Sequence, residues 1–307
     1  MSFFFFINWG RRKATHIARY RDSERLKDIL IIPGSMEVTR PRNDILALNL
    51  SSPINIRSSL QGIIDQINRQ NGLAILSHPS YLIKPYSRRK LLRLRQYLGI
   101  EIYNPNKIPW PQSTRRWDFL LSKRPDAKVW GFASDDMHDL KRDAGRAWIV
   151  VRAKNPDVSE ILNALKQGSF YSTTGPVIEN ILLDSNSFHI KVADNYQMKF
   201  IGYRGMALQV SFGREATYHF QSQDRYVRIE IKDLKYKKKA WTQPIFVREG
   251  RIFHFTYPNA GIWLRGCIHI HTKVKGGTSG EKEVVRWYQA HGYDFIAITE
   301  HNTITHL

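Results

Sequence analysis

GCIHIHT at residues 266–272 is followed, after one predicted helix, by FIAITEHN at residues 295–302. The first stretch is a short apolar strand that presents His269 and His271, two residues apart, on the same face. The second is an apolar strand that ends in a glutamate and His301. Imidazoles delivered together by neighbouring strands are typical of a metal site. The two stretches therefore predict a sheet whose edge binds a metal ion.

The composition narrows the choice of metal ligands. The chain of 307 residues has a single cysteine, Cys267, which excludes a disulfide framework and a cysteine-based zinc site. Histidine, aspartate and glutamate must then hold any metal, and this ligand set suits zinc, manganese or iron. A chain of this length is large enough for one large domain, or for a large domain and a small one.

The charge of the chain is strongly positive. A formal net charge of +20 favours polyanionic partners such as nucleotides or nucleic acid. The basic runs at 11–13, 88–90 and 237–239 are scattered, which is equally typical of a solvated surface. The apolar residues 3–7 are too few to span a membrane, and no other stretch approaches that length. We expect a soluble, cytoplasmic protein without a membrane partner.

Strands and helices alternate through the first part of the chain. Five apolar segments in this part, and two near the C-terminus, have the pattern of α/β strands. Beyond residue 176 short segments with period-two patterning indicate an antiparallel β domain. The predicted organisation is a basic N-terminal extension at 1–28, a metal-binding barrel formed by 29–176 and 262–307, a small antiparallel β domain at 177–250, and a linker at 251–261.

Potential metal ligands follow this alternation. Parallel strands linked by helices favour a barrel, in which chemistry is located at the C-terminal ends of the strands. Histidines and acids do fall at or just past the predicted strand ends: Glu37, His78, Asp136, His138, His269, His271, Glu300 and His301. Residues placed at random would also occupy helices and strand starts. This distribution is the strongest inference that the residues permit by themselves.

Five short motifs occur in the chain: His-x-His at 269–271, Thr-Glu-His-Asn at 299–302, Gly-x-x-Glu at 34–37, Ser-His-Pro at 77–79 and Asp-x-His at 136–138. Together they resemble the motifs of the polymerase and histidinol phosphatase (PHP) family of metal-dependent phosphoesterases. Segments at 145–148, 167–176, 226–230 and 240–245 resemble the branch that includes carbaryl-hydrolase-type metallohydrolases. The resemblance implies a distorted (β/α)7 TIM-like barrel followed by a small β domain.

The order of the motifs differs from the family's order. The His-x-His strand comes first in the family and last here, so the resemblance implies a circularly permuted barrel with the β domain inserted between its segments. Two alternatives remain open: a reading frame that crosses a junction between gene copies, and strands exchanged between two chains in a dimer. The acid that usually follows His-x-His is missing, because residues 275–277 are Lys-Gly-Gly.

The resemblance also implies a set of site residues. The expected metal ligands are Glu37, Asp44, His78, Asp136, His138, His269, His271 and His301. One or two ions are expected, because Gly276 in place of an acid weakens a third position. His138, His301 and Asp136 are the candidate catalytic residues. Arg40 or Arg146, with Arg42 as a further candidate, would bind the substrate phosphate, since a guanidinium matches phosphate oxygens bidentately.

The predicted function is that of a metal-dependent hydrolase, a phosphoesterase that uses a metal-activated water. Its substrate would be a phosphorylated small molecule, including nucleotides, or a nucleic acid. One alternative is an ester or carbamate hydrolase, because the branch includes this activity. The other is a non-catalytic protein that binds nucleic acid through its basic surface; the glycine at position 276 favours it, and the other ligands argue against it.

Overall fold

The computed structural model describes residues 29–124, 128–254, 257 and 260–305. The predicted basic extension at 1–28 lies outside the described residues, as does part of the predicted linker at 251–261. The described strands form two mixed sheets, one of twelve strands and one of five.

Strands predominate among the described elements. The strands are β1 (Leu30–Ile31), β2 (Met36–Val38), β3 (Ile45–Leu48), β4 (Leu73–Leu76), β5 (Gly99–Tyr103), β6 (Trp130–Ala133), β7 (Trp148–Ala153), β8 (Phe170–Thr173), β9 (Ile178–Leu183), β10 (Ser187–Ile201), β11 (Ala207–His219), β12 (Tyr226–Lys232), β13 (Lys239–Thr242), β14 (Ile245–Arg248), β15 (Arg251–His254), β16 (Ile262–Cys267) and β17 (Phe295–Ile296). The α-helices are α1 (Leu60–Arg69), α2 (Arg88–Arg93), α3 (Thr114–Lys123), α4 (Val158–Gln167) and α5 (Glu281–Ala290), and a 3-10 turn covers Tyr203–Gly205.

The five-stranded sheet has the order β2-β3-β4-β5-β6. Its first three strands pair antiparallel, and β4, β5 and β6 pair parallel. Strand β4 reads Leu-Ala-Ile-Leu and all four residues are buried, as expected for a strand that is covered on both faces. Helix α1 precedes it and buries Ile63, Ile64 and Ile67 in the same hydrophobic cluster.

The twelve-stranded sheet brings the two ends of the described chain together. Its main path is β1-β17-β16-β7-β8-β13-β12-β10-β11. Strand β17 pairs parallel with β1 and with β16, whereas β16 pairs antiparallel with β7. Two isolated bridges, Glu37 to His301 and Met137 to Ile270, join this sheet to the smaller one. The segments that follow β16 and β17 therefore lie against the ends of β2 and β6.

The predicted (β/α)7 TIM-like barrel is wrong. It required parallel strands that alternate with many helices in one closed sheet, whereas the described residues form two open mixed sheets and five α-helices. Strands β7 and β8, which the sequence analysis did not predict, pair antiparallel and connect β16 to the strands of residues 178–254. Apolar periodicity locates a strand, but the direction of its pairing depends on partners that are distant in sequence.

The described helices are short. The longest have 10 residues, whereas a transmembrane helix needs about 20 apolar residues. No helix in the described part of the chain is therefore long and apolar enough to cross a bilayer.

A buried ion pair connects helix α3 to the larger sheet. The Arg228 guanidinium donates from Nε and Nη2 to the two carboxylate oxygens of Asp118, at 2.8 and 2.7 Å. The Tyr226 hydroxyl donates to the same carboxylate at 3.1 Å. Arg228 is 1% exposed, and Asp118 is the carboxylate at ion-pair distance from it among the described residues.

Replacing Asp118 with Asn should destabilise the protein. The substitution leaves a buried guanidinium without its counter-charge, and we expect the free energy of unfolding to fall by about 3 kcal/mol. Urea denaturation followed by circular dichroism measures the change. The matched control is Asp194→Asn at an exposed position, which should stay within about 0.5 kcal/mol of the parent. Equal stabilities for the two variants would contradict the assigned role of the ion pair.

Candidate metal centre

The predicted ligands come together where the two sheets join. They lie on β2 and on the segments that precede β3 or follow β4, β6, β16 and β17: Glu37, Asp44, His78, Asp136, His138, His269, His271 and His301. Their side chains form three overlapping groups, each with ligand atoms within 4.8 Å of one another: Glu37, His269 and His271; Glu37, Asp44 and His78; and His138, His271 and His301. Each group could hold a metal ion.

The first group converges most closely, with Asp136 beside it. His269 Nε2 lies 3.3 Å from Asp136 Oδ1 and 3.5 Å from Glu37 Oε1. His271 Nε2 lies 3.4 Å from the same Asp136 oxygen and 3.8 Å from Glu37 Oε2. Ligand atoms that are each about 2.0–2.2 Å from a tetrahedral zinc ion are separated by about 3.4 Å. The spacing therefore matches the needs of a small divalent cation.

The hydrogen bonds of these atoms provide an independent test of the fit. Among the described residues, His269 Nε2, Asp136 Oδ1 and both ring nitrogens of His271 are buried without a hydrogen-bond partner. A buried polar atom without a partner is costly, and a folded protein leaves few of them. Here the Asp136 oxygen lies 3.3 Å from His269 Nε2 and 3.4 Å from His271 Nε2, the separation expected of two ligands of one ion. The donor set fits a metal ion.

Glu101, which the sequence analysis missed, orients His269. The His269 Nδ1–H donates to Glu101 Oε1 at 2.7 Å, because the carboxylate can only accept, and in the neutral ring Nε2 then carries the lone pair. The same carboxylate accepts from the His78 backbone N–H at 2.7 Å and from Ser134 Oγ at 2.5 Å. A carboxylate behind a ligating histidine is a common support of metal sites. In the sequence, the one indication of this role is an acidic residue within the otherwise apolar strand β5.

Burial and charge set the protonation of the first group. Burial opposes ionisation, but the nearby His269 outweighs it and holds the pKa of Glu37 and of Asp136 well below the usual value. Burial also disfavours protonated His269, yet Asp136, Glu101 and Glu37 keep its pKa well above normal. Burial lowers the pKa of His271 to about 4. Ionised carboxylates and a neutral imidazole are the states that metal binding requires, and a cation would replace the charge on His269.

The second group shares Glu37 with the first. His78 Nε2 lies 3.2 Å from Glu37 Oε1 and 3.7 Å from Asp44 Oδ2. The Lys84 ammonium lies 3.2 and 3.0 Å from the two Asp44 oxygens, so a lysine already pairs with one ligand of this group. All three ligands are buried, with at most 4% exposure. The Glu37 carboxylate is placed to bridge two ions.

The third group consists of imidazoles and faces solvent. The His271 ring centroid lies 4.3 Å from those of both His138 and His301. The side chains of His138 and His301 are 28% and 29% exposed, whereas the ligands of the other two groups are buried. His301 Nδ1 lies 2.9 Å from Glu37 Oε2 and 2.7 Å from Thr39 Oγ1. These two histidines therefore form the accessible side of the centre.

Gly276 lies beside the third group. A Cβ atom at this position would be 3.0 Å from His301 Cδ2 and 3.7 Å from His138 Cδ2. The backbone has φ +117°, a conformation that residues with a side chain rarely adopt. An acid could therefore not simply replace this glycine, because its side chain would crowd the His301 ring.

Glu300 belongs to none of the three ligand groups and instead bonds the backbone next to them. Its carboxylate accepts from the Thr272 backbone N–H at 2.8 Å, from the Thr272 hydroxyl at 2.5 Å and from the Lys275 backbone N–H at 3.1 Å. It thereby holds the turn that follows His271.

Two ligands, His78 and Asp136, have positive φ values of 30° and 49°, a strain that is common at functional sites.

The predicted phosphate-binding arginines point elsewhere. The Arg40 guanidinium donates to the backbone carbonyls of Ile56 and Ser58, and the Arg146 guanidinium donates to Asn106 Oδ1 at 3.1 Å. Arg42 is exposed. Within the described part of the chain, neither Arg40 nor Arg146 uses its guanidinium to bond a candidate ligand.

Two lysines that the sequence analysis did not single out do contact the ligands. Lys84 pairs with Asp44, and the Lys107 ammonium lies 2.5 Å from Asp136 Oδ2. Lys84 follows strand β4, and Lys107 follows strand β5. In a chain with 47 lysines and arginines, a single basic residue in a loop does not indicate a functional role.

The chain matches no protein-family model and no curated protein sequence. The geometry of the centre and the motifs of the sequence therefore carry the functional argument.

Replacing His269 with Ala should abolish tight metal binding. Of the two imidazole nitrogens in the first group, the variant loses the one that lies closer to both Asp136 and Glu37, and the group is left with one donor fewer. We expect the parent to retain about one equivalent of metal or more after gel filtration with zinc or manganese, and the variant less than about half an equivalent. Elemental analysis gives both values.

The matched control is His219→Ala, which alters an exposed histidine of β11 and should leave the metal content unchanged. Equal metal content in the parent and in the His269 variant would contradict the assignment of the metal centre.

Replacing Glu101 with Gln should weaken metal binding without removing a ligand. The amide can still occupy the space, but it no longer stabilises the His269 imidazole with a negative charge. Changes of this kind reduce metal affinity by about 10–100-fold. Competition with a fluorescent zinc chelator measures the affinity. The conservative change Glu160→Gln on α4 serves as the control, and an unchanged affinity in the Glu101 variant would show that this carboxylate does not support the centre.

Proposed function

We propose that this protein is a metal-dependent phosphoesterase related to the PHP family. The observation that carries the proposal is the position of Glu37, whose carboxylate belongs to two of the three ligand groups. Centres that hold two metal ions close together are typical of enzymes that hydrolyse phosphate esters. The five motifs that resemble the PHP family supply the residues of these groups other than Asp44 and support the same proposal.

Each ion has a defined set of candidate ligands. His269, His271, Asp136 and Glu37 would hold one ion, and Glu37, Asp44 and His78 would hold a second. Zinc, manganese or iron suit these nitrogen and oxygen donors. When bound, such an ion acts as a Lewis acid and lowers the pKa of a coordinated water.

His138 and His301 are the residues best placed to handle protons. The His138 Nδ1–H donates to the Asp136 carbonyl oxygen at 2.9 Å, so Nε2 carries a lone pair in the neutral ring. His301 contacts Glu37 and Thr39 through Nδ1, and its Nε2 lies on the side of the ring next to Gly276. Either imidazole can accept a proton from a water molecule or return one to a leaving group.

The test of the function uses three chromogenic substrates. With manganese or zinc bound, the protein should hydrolyse p-nitrophenyl phosphate or bis-p-nitrophenyl phosphate, and chelation with EDTA should remove the activity until metal is restored. The His269→Ala variant should lose at least about 100-fold in kcat/KM, and the His219→Ala control should retain it.

The outcomes separate the three functional classes. Hydrolysis of p-nitrophenyl acetate alone would replace the proposal with an ester hydrolase. A metal-loaded protein that hydrolyses none of the substrates, but binds oligonucleotides, would favour the non-catalytic alternative.

A further inference from the structure

Lys107 is held in a fixed position beside the candidate metal centre. It lies on the loop between β5 and α3, where the Asn104 N–H donates to the Pro111 carbonyl at 2.9 Å and the Lys107 N–H donates to the Asn104 carbonyl at 3.3 Å. Asn106 Nδ2 donates to the backbone carbonyl of Asp136 at 2.6 Å. Hydrogen bonds within the loop, and one to the segment that carries Asp136, thus fix its position.

The lysine contacts the oxygen of Asp136 that faces away from the other ligands. Its Nζ lies 2.5 Å from Oδ2, whereas Oδ1 faces His269 and His271. An ammonium at Oδ2 is therefore compatible with a metal at Oδ1. The side chain of Lys107 is 17% exposed, so part of it is accessible to solvent while its ammonium contacts Asp136.

The Lys107 ammonium has unused donors. An ammonium has three donors, and Asp136 Oδ2 is the one oxygen paired with it among the described residues. Its other close neighbour is the face of the Tyr81 ring, with the centroid 5.1 Å from Nζ. Donors remain for an incoming anion.

The other cations of the region contact other groups. The Arg40 guanidinium donates to the backbone carbonyls of residues 56 and 58, and the Arg146 guanidinium donates to Asn106 Oδ1. Lys84 bonds both oxygens of Asp44. Among the described residues, Lys107 is the cation that pairs with a ligand of the first group, through Asp136, and it keeps spare donors. We propose that Lys107 binds the anionic group of the substrate and so selects phosphate esters over neutral esters; this inference rests on the proposed function.

The experiment compares Lys107→Met with Lys107→Arg in the manganese-loaded protein. Calorimetry with inorganic phosphate gives a Kd, and p-nitrophenyl phosphate gives kcat and KM. Loss of a charge-assisted hydrogen bond should raise both the Kd and the KM about tenfold in the methionine variant. The arginine variant keeps the charge and should stay within about threefold of the parent. Lys191→Met, at an exposed position of β10, is the matched control and should behave as the parent.

A purely structural role would have a different signature. If Lys107 only compensates the charge of Asp136, the methionine variant should lose metal content and thermal stability in proportion to its loss of phosphate binding, and this result would overturn the inference. An unchanged Kd and KM in the methionine variant would also overturn it, while hydrolysis of p-nitrophenyl phosphate by the parent would leave the proposed function intact. Absence of phosphoesterase activity in the metal-loaded parent would instead remove the proposed function and, with it, this inference.

Discussion

The structure depends on how a dense set of buried charges is compensated. Glu37 and Asp136 are ionised in the interior beside His269 and His271, and several of their atoms have no hydrogen-bond partner among the described residues. Isolated carboxylates are costly to bury, and folded proteins pair such groups with one another or with a metal. The two sheets meet at this point through the Glu37–His301 bridge. The junction of the fold and the candidate metal centre are therefore the same place.

A second layer of polar residues keeps the ligands in position. Glu101 orients His269 and holds the backbone of His78, while Glu300 holds the turn after His271. Lys107 compensates the outer oxygen of Asp136. Glu101 and Lys107 each bond an atom of the ligand other than the one next to the remaining ligands. Such support fixes the rings and carboxylates before any ion binds, which reduces the cost of ordering them and favours binding.

The centre has a buried side and an accessible side. Glu37, Asp136, His269 and His271 are shielded, whereas His138 and His301 are partly exposed beside Gly276. This asymmetry would suit the proposed hydrolysis, because ions held in the buried part would stay fixed while substrate and protons approach from the other side. The glycine, which stands where the sequence pattern expects an acid, lies against the His301 ring, where a side chain would be crowded.

Local sequence located many of the strands, and a period of two places His269 and His271 on one face regardless of the rest of the fold. The motifs of the sequence identified the other candidate ligands through their resemblance to a known family. The tertiary structure decided what depends on residues distant in the chain. Antiparallel pairing through β7 and β8 replaced the expected barrel with two open sheets. Glu101 and Lys107 became parts of the centre only through contacts with His269 and Asp136, 168 and 29 positions away. Pairing direction and charge compensation are properties of the assembled chain, which no local pattern records.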